Sequence, residues 1–421
     1  MPSSPSPASV LSFEDARHVV EEHASHLRPQ GKELLELSDS VGRVLAEPII
    51  ADRNFPPFPR ATRDGYAVRA ADITNLPATL QVIGEIKAGA NPTIELQAGQ
   101  APAIMTGAPV PPGADAVVMI EYTSRTGDRV EISKGIAAGD NVVPAGAEAK
   151  RGERLLLPGT RLDHAAIAIA SSAGKSHLLV YSRPQVAVLA TGDEIVDIDV
   201  LPAPYQIRNS NSYSLAAQIQ AAGGEPALLP IAPDDPERLR ELIADGFEAE
   251  LLLLTGGVSM GKYDLVEQVL TDLQAQFFFT GSQIQPGRPV VFGRVPYGTG
   301  AAAREKASPY KYFFGLPGNP VSTMVTFELF ARPMLEALAG MQPRKLIFAR
   351  AKLKSEIKIK PGLKRFLPAQ LSGEFENAEV ELVRWQGSGD IAATARANCY
   401  IVIAPDREQI AAGEWVPVLP R

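Results

Sequence analysis

Cysteine is nearly absent: Cys399 stands alone in 421 residues. That excludes an internal disulfide and a cysteine-built zinc site. Histidine is almost as scarce, with five residues and no H-E-x-x-H, so a histidine-built metal centre is not expected. His18, His23 and His26 fall in one helical stretch and read as solvated side chains. Neither sign of charge dominates. Lys+Arg 41 against Asp+Glu 48 leaves −7, which argues against non-specific nucleic-acid binding. There is no apolar run long enough to cross a membrane. The opening MPSSPSPAS lacks a basic stretch followed by an apolar one, so it does not read as a secretory signal. Residues 1–11 read as a disordered tail, and the expected compartment is the cytoplasm.

What is present is the composition of an ordinary globular protein, 45% hydrophobic and 21% charged, long enough for two to four domains. The chain is organised around AELLLLTGGVSMGKYD, residues 249–264. Leu251 to Leu254 is an unbroken apolar run that fits a strand buried on both faces. Thr255-Gly256-Gly257 follows, and then Leu265, Val266, Val269, Leu270 and Leu273 recur at helical spacing. Adjacent glycines between a strand's carboxyl end and a helix free the backbone to form an anion-binding nest, where open α/β sheets bind ligands. Gly256, Gly261 and Lys262 have the spacing of a P-loop, but Tyr263 stands where that motif needs a hydroxyl for magnesium, so an ATPase loop is disfavoured. A tight turn without a ligand is the plain alternative.

In chain order, Ser12 caps a helix over SFEDARHVVEEHASHL. Short strands follow around residues 34–37 and 47–51. Residues 52–72 form a Pro-rich, charged, aromatic loop holding Asp64-Gly65-Tyr66, a composition that more often binds than merely connects. Residues 76–129 alternate in the manner of a β domain. Asp163 heads a helix to Ser172. From Arg183-Pro184 onward, strands alternate with helices or ligand-like turns, which is doubly wound α/β logic. Residues 321–338 read as one helix, and residues 345–421 as a β-barrel or sandwich. The expected architecture is multidomain α/β plus β: a mixed N-terminal layer (12–50 with 141–182), an inserted β-rich domain (51–140), a central α/β domain (183–340) and a small C-terminal β-barrel (341–421).

The turns carry the chemistry. Thr191-Gly192-Asp193-Glu194, the Thr255–Asp264 stretch and Leu316-Pro317-Gly318-Asn319-Pro320 each end a strand of one sheet, so they are expected on one edge. That edge collects glycine N–H donors, the hydroxyls of Thr191, Thr255, Ser259 and Ser322, and the carboxylates of Asp193, Glu194 and Asp264. Donors beside acids, without histidine, suit a phosphorylated ligand and magnesium.

These segments resemble the molybdopterin molybdenumtransferase family, bacterial relatives of the C-terminal domain of gephyrin. The matching stretches are PPF…DGYAVR (56–69), IMTGAPVPPGADAVV (104–118), TGDE (191–194), TGGVSMGKYD (255–264), QPGRPVVFG (285–293) and GLPGNPVS (315–322), six weak motifs made specific by their order. The resemblance implies an elongated homodimer of four-domain protomers. It implies insertion of molybdate into the dithiolene of adenylylated molybdopterin, with magnesium and release of AMP. A molybdopterin adenylyltransferase and apo-molybdoenzymes would be its protein partners. By position, Asp64, Thr106, Glu194 and Asp264 would be catalytic, with Glu194 and Asp264 on the metal. Asp64 and Thr106 would reach the cleft from the other protomer. Thr191, Gly192, Asp193, Gly256, Gly257, Ser259, Gly318 and Asn319 would hold the ligand. Arg288, Ser322, Arg365 and Ser388 would hold the oxyanion, for which arginine and hydroxyl donors suit a tetrahedral dianion.

The chain departs from the family pattern at Arg60-Ala61-Thr62-Arg63, at Asn209-Ser210-Asn211 in place of Asp-Ser-Asn, at Gly281, at Arg288 in place of lysine, and in an insertion over 297–310. A non-catalytic pterin- or molybdate-binding carrier or scaffold is the alternative from another class. An unrelated nucleotide-binding α/β protein is the third reading.

Overall fold

A computed structural model of the chain describes residues 10–91, 93–257, 265–296, 309–341 and 344–421. The apolar run Leu251–Thr255 (β3) is the middle of a six-stranded sheet, and its leucines are at most 1% exposed. Gln185–Ala190 (β1) and Tyr310–Leu316 (β6) flank it, both parallel to it. Glu225–Leu228 (β2) adds in parallel beyond β1. Val291–Pro296 (β5) and Gln276–Phe279 (β4) close the other side antiparallel, giving the order β2-β1-β3-β6-β5-β4.

Side chains on a strand alternate between faces, and both faces here are covered. Leu251 and Leu253 pack with α1 (Phe13–Ser25), α3 (Ser210–Ala221), α6 (Pro320–Thr326) and α7 (Arg332–Leu338). Leu252 and Leu254 pack with α4 (Pro236–Gly246) and α5 (Leu265–Asp272) on the other. After β1 the chain runs outward through α3 to β2. It returns through α4 to β3 on the opposite side of β1. The strand order therefore reverses between β1 and β3, and a crevice opens there at the carboxyl ends.

The helix read over 321–338 is not continuous. A π-helical turn, Phe327–Ala331, separates α6 from α7. Pro333 has no N–H to offer the carbonyl of Leu329. Arg17 of α1 serves that carbonyl instead, donating from Nη1 at 2.6 Å, although Arg17 is only 7% exposed. The N-terminal helix is thereby tied to the α/β core, with Phe13, Ala16, Val20 and Ala24 buried in it. Ser12 caps α1 by accepting from the Asp15 N–H at 3.1 Å.

Lys32–Glu36 pairs antiparallel with His177–Tyr181, and Leu45, Ile49 and Leu178 bury against α2 (His164–Ser172), which Asp163 caps. Residues 51–140 contain no α-helix among those described; Gly65–Val68 lies between Ala103–Ile104 and Ala116–Met119. A Cβ on Gly65 would sit 1.8 Å from the Val118 carbonyl oxygen, so only glycine admits this pairing. At the C-terminus, Lys364–Ser372, Glu379–Leu382, Ala349–Leu353, Trp415–Pro420 and Cys399–Ile403 pair in turn and close back on Lys364–Ser372 as a five-stranded barrel. Ile284–Gln285 extends it, setting Gln285 beside Arg365.

Candidate active site

Register makes the site. Ala190 pairs with Thr255, and Thr255 with Leu316. The residues after them, in the three glycine turns, must therefore lie side by side. Gly256 (φ 94°) presses so close to Thr191 that a Cβ would meet the Thr191 carbonyl oxygen at 2.4 Å. A Cβ on Gly318 would lie 3.5 Å from the Gly256 Cα. Between the turns is a cleft of about 380 Å³, and Thr191, Glu194, Gly256, Gly257, Gly318 and Asn319 all line it. The Glu194 carboxylate folds back over Gly192, where a Cβ would come within 2.4 Å of Oε2.

Two anticipated members face elsewhere. The Gly192 N–H is spent on the Ala232 carbonyl at 3.1 Å, and Asp193 Oδ1 accepts from the Asp234 N–H at 3.1 Å. Neither lines the cleft; both hold the turn that aims Glu194. Ser259, Asp264 and all but the end of the 297–310 insertion lie outside the described residues.

The start of α3 contributes Asn209 and Asn211, which the sequence marks as a departure from the family pattern without assigning them a role. Asn209, 6% exposed, caps α3 by accepting from the Ser212 N–H at 3.1 Å. Asn211 Nδ2 donates to Thr255 Oγ1 at 2.9 Å and to the Gly318 carbonyl at 2.7 Å, joining two of the turns. The signal was in the sequence: Asn-Ser-Asn after a short strand is a helix start, but a cap alone does not show what its neighbour reaches. Thr191 Oγ1, Asn211 Oδ1 and Ser212 Oγ are buried without a hydrogen-bond partner among the described residues. Buried polar atoms left unpaired call for an explanation. All three here are oxygens beneath a glycine-rich cleft.

A second donor set adjoins the first. Arg288 is exposed at the end of the Gln285–Arg288 turn. Gly287 (φ 106°) packs that turn onto α6, its missing Cβ leaving 2.4 Å to Thr326 Cγ2 and 3.6 Å to the Ser322 carbonyl. The Ser388 carbonyl accepts from the Val321 N–H at 3.0 Å. Arg365, beside Gln285, donates from Nη2 to the Lys360 carbonyl at 2.6 Å and keeps Nε buried without a partner among the described residues. Partial burial lowers the pKa of Arg365. Pro289, next to Arg288, and Asn319 line the cleft; Arg288, Ser322, Arg365 and Ser388 themselves do not. Lys311 lies away from this set and donates to the Glu248 and Ala249 carbonyls at the far end of β6.

Asp64 and Thr106 form a third feature, on the inserted β layer. Asp64 Oδ1 accepts from Thr106 N at 2.6 Å and Thr106 Oγ1 at 2.8 Å. The backbone bond, then the hydroxyl bond, holds the Asp64 carboxyl below its ordinary pKa. Both residues are exposed, and neither lines the cleft. Among the described residues no group of three or more His, Cys, Asp or Glu could hold a metal ion.

Comparison with known proteins gives these features a context. Three family models tile the chain: the MoeA N-terminal region (domain I and II) over residues 11–174, the probable molybdopterin binding domain over 187–337 and the MoeA C-terminal region (domain IV) over 350–420. The chain is 38% identical to the molybdopterin molybdenumtransferase of Nostoc sp. over 317 residues, 74% of this chain and 70% of the relative. It is 32% identical to the protein of that name from Bacillus subtilis over 404 residues, 94% of this chain and 91% of the relative. The crystal structure of the molybdopterin biosynthesis moeA protein from Pyrococcus horikoshii OT3 superposes with a TM-score of 0.75 at 28% identity, covering 98% of this chain and 100% of that one. With the three family models and these relatives in agreement, the chain belongs to the molybdopterin molybdenumtransferase (MoeA) family.

Proposed function

We propose that this chain is a molybdopterin molybdenumtransferase that holds adenylylated molybdopterin across the strand ends, places molybdate against its dithiolene sulfurs and releases AMP. One observation carries the reading: the cleft at the strand ends is walled by Gly256, Gly257 and Gly318 with Glu194 in its lining, and Pro289 in that same lining directly follows Arg288. The cleft suits the phosphates, and the arginine set suits a tetrahedral dianion.

In this reading Gly256, Gly257 and Gly318 let the ligand approach the backbone, and Thr191 and Asn319 orient it. Arg288 and Arg365 offer paired N–H donors to molybdate, with Ser322 and Ser388 completing its surround. The donors fit magnesium, since the ion prefers oxygen and is often held by one or two carboxylates plus substrate phosphates. Glu194 is one such carboxylate, and Asp264 is assigned as the second. When bound, the ion neutralises charge on the phosphate being released.

The exposed Asp64–Thr106 pair is assigned to the cleft of a second copy of this chain. The protein is thus read as a cytoplasmic homodimer that receives its substrate from an adenylyltransferase and delivers to apo-molybdoenzymes. Mixing two inactive variants, Asp64→Asn and Glu194→Gln, tests this. Subunit exchange should restore about a quarter of wild-type AMP release, because half the dimers would then carry one intact cleft. No recovery, with exchange verified, would assign Asp64 elsewhere. Release of AMP from adenylylated molybdopterin only when molybdate is present would distinguish the enzyme from a carrier.

A further inference from the structure

A second cavity, of about 370 Å³, opens between α1, α7 and the barrel. Five cationic side chains line it: Arg17, Arg332, Arg344, Lys345 and Arg421. The cavity shares no lining residue with the cleft.

Its acids are already committed. Glu328 accepts from Arg332 Nη1 at 2.8 Å and from Gln218 Nε2 at 2.8 Å. Glu336, only 4% exposed, accepts from Arg332 Nε at 3.0 Å, with Arg344 Nη2 at 3.6 Å. Glu21, outside the cavity, takes Arg17. Five cations less these three carboxylates leave +2 in side chains, in a protein of net charge −7. Lys345 has no ion pair among the described residues, and Arg421 spends only Nη1 on the Thr394 and Ala397 carbonyls. Arg17 has every nitrogen bonded, Nε to Glu21, Nη1 to the Leu329 carbonyl and Nη2 to the Arg344 carbonyl, so it contributes charge to the wall, while Arg332 Nη2, Arg344, Lys345 and Arg421 Nη2 are the donors left for a ligand. Leu346, Tyr400 and Leu419 give one wall an apolar surface.

We propose that this cavity binds a small phosphate-bearing anion, distinct from the pterin substrate. The volume is in the range of metabolite pockets. Guanidinium groups offer phosphate oxygens parallel N–H donors that a solvated lysine patch cannot. The proposal is independent of the reaction assigned to the cleft.

The test is calorimetric titration of the intact protein with pyrophosphate, without magnesium, at low and high salt. One binding event should weaken at least about tenfold in Arg344→Gln/Lys345→Gln, persist in Arg288→Ala, and weaken with ionic strength. Both substituted side chains are exposed, so the thermal midpoint should be unchanged; Lys345→Glu alone gives the same reading if the double variant misfolds. Unaltered binding in these variants would overturn the proposal. So would a wild-type isotherm that sulfate reproduces at equal ionic strength, since that is general anion attraction.

Discussion

The Asn211 side-chain amide donates to the Thr255 hydroxyl at 2.9 Å while its second N–H reaches the Gly318 carbonyl at 2.7 Å. One side chain from the start of α3 therefore sets the spacing of two turns that come from different strands. Asn211→Ala would leave a part-buried hydroxyl and a carbonyl without their donor, which costs about 1–3 kcal/mol. Asn211→Asp should be worse for the cleft, because it sets a carboxylate oxygen against the Gly318 carbonyl. Denaturant unfolding gives the first quantity. AMP release should fall in both variants, and further in Asn211→Asp.

The cleft glycines are not equivalent. Gly256 has φ 94° and no room for a Cβ against Thr191. Gly318 has neither constraint, since its nearest neighbour would be an ordinary contact at 3.5 Å. Gly256→Ala should destabilise by at least about 1–3 kcal/mol, the scale of a strained backbone position. Gly318→Ala should leave stability within about 0.5 kcal/mol and act only on ligand binding. Paired thermal melts with and without ligand separate the two effects.

Asp64 should titrate below an ordinary aspartate, because Thr106 bonds its charged form twice. The sign follows from the depressed folded pKa. Its contribution to stability is present above the unfolded value, about 3.9, and is lost as pH falls through the folded one. Thr106→Val removes the hydroxyl bond and keeps the larger backbone bond. The carboxyl pKa should rise part of the way to normal, as read by carbon NMR across acid pH. A value unchanged from wild type would mean the hydroxyl does not bond the carboxylate in solution.

Arg288 is exposed and carries no ion pair among the described residues, beside a turn whose Gln285 has no charge. Arg288→Ala should raise the molybdate needed for half-maximal AMP release at least tenfold, about 1.4 kcal/mol. Thermal stability should hardly change. Coincident molybdate curves would move the oxyanion to Arg365 and the barrel.

The order of strands and glycine turns was legible in the sequence because it is local. A buried parallel strand must be apolar throughout, as Leu251–Leu254 is, and a chain turning sharply at its end needs glycine, as at Gly256. Ser12 and Asp163 announced their helices because a cap bonds a backbone N–H within its own turn. The break at Phe327–Ala331 was legible only in part: Pro333 inside an apolar helical run signals a break, but that Arg17, over three hundred residues away, serves the freed Leu329 carbonyl was not.

The sequence by itself determined the family and which segments end in ligand-type turns, since six ordered motifs need no coordinates. Tertiary structure decided which of those residues meet. Side chains in one turn diverge, so Glu194 enters the cleft while its neighbour Asp193 turns away to bond Asp234. Strand register, a property of three segments at once, set Thr191, Gly256 and Pro317 side by side, and only that alignment placed Asn211 within reach of two turns.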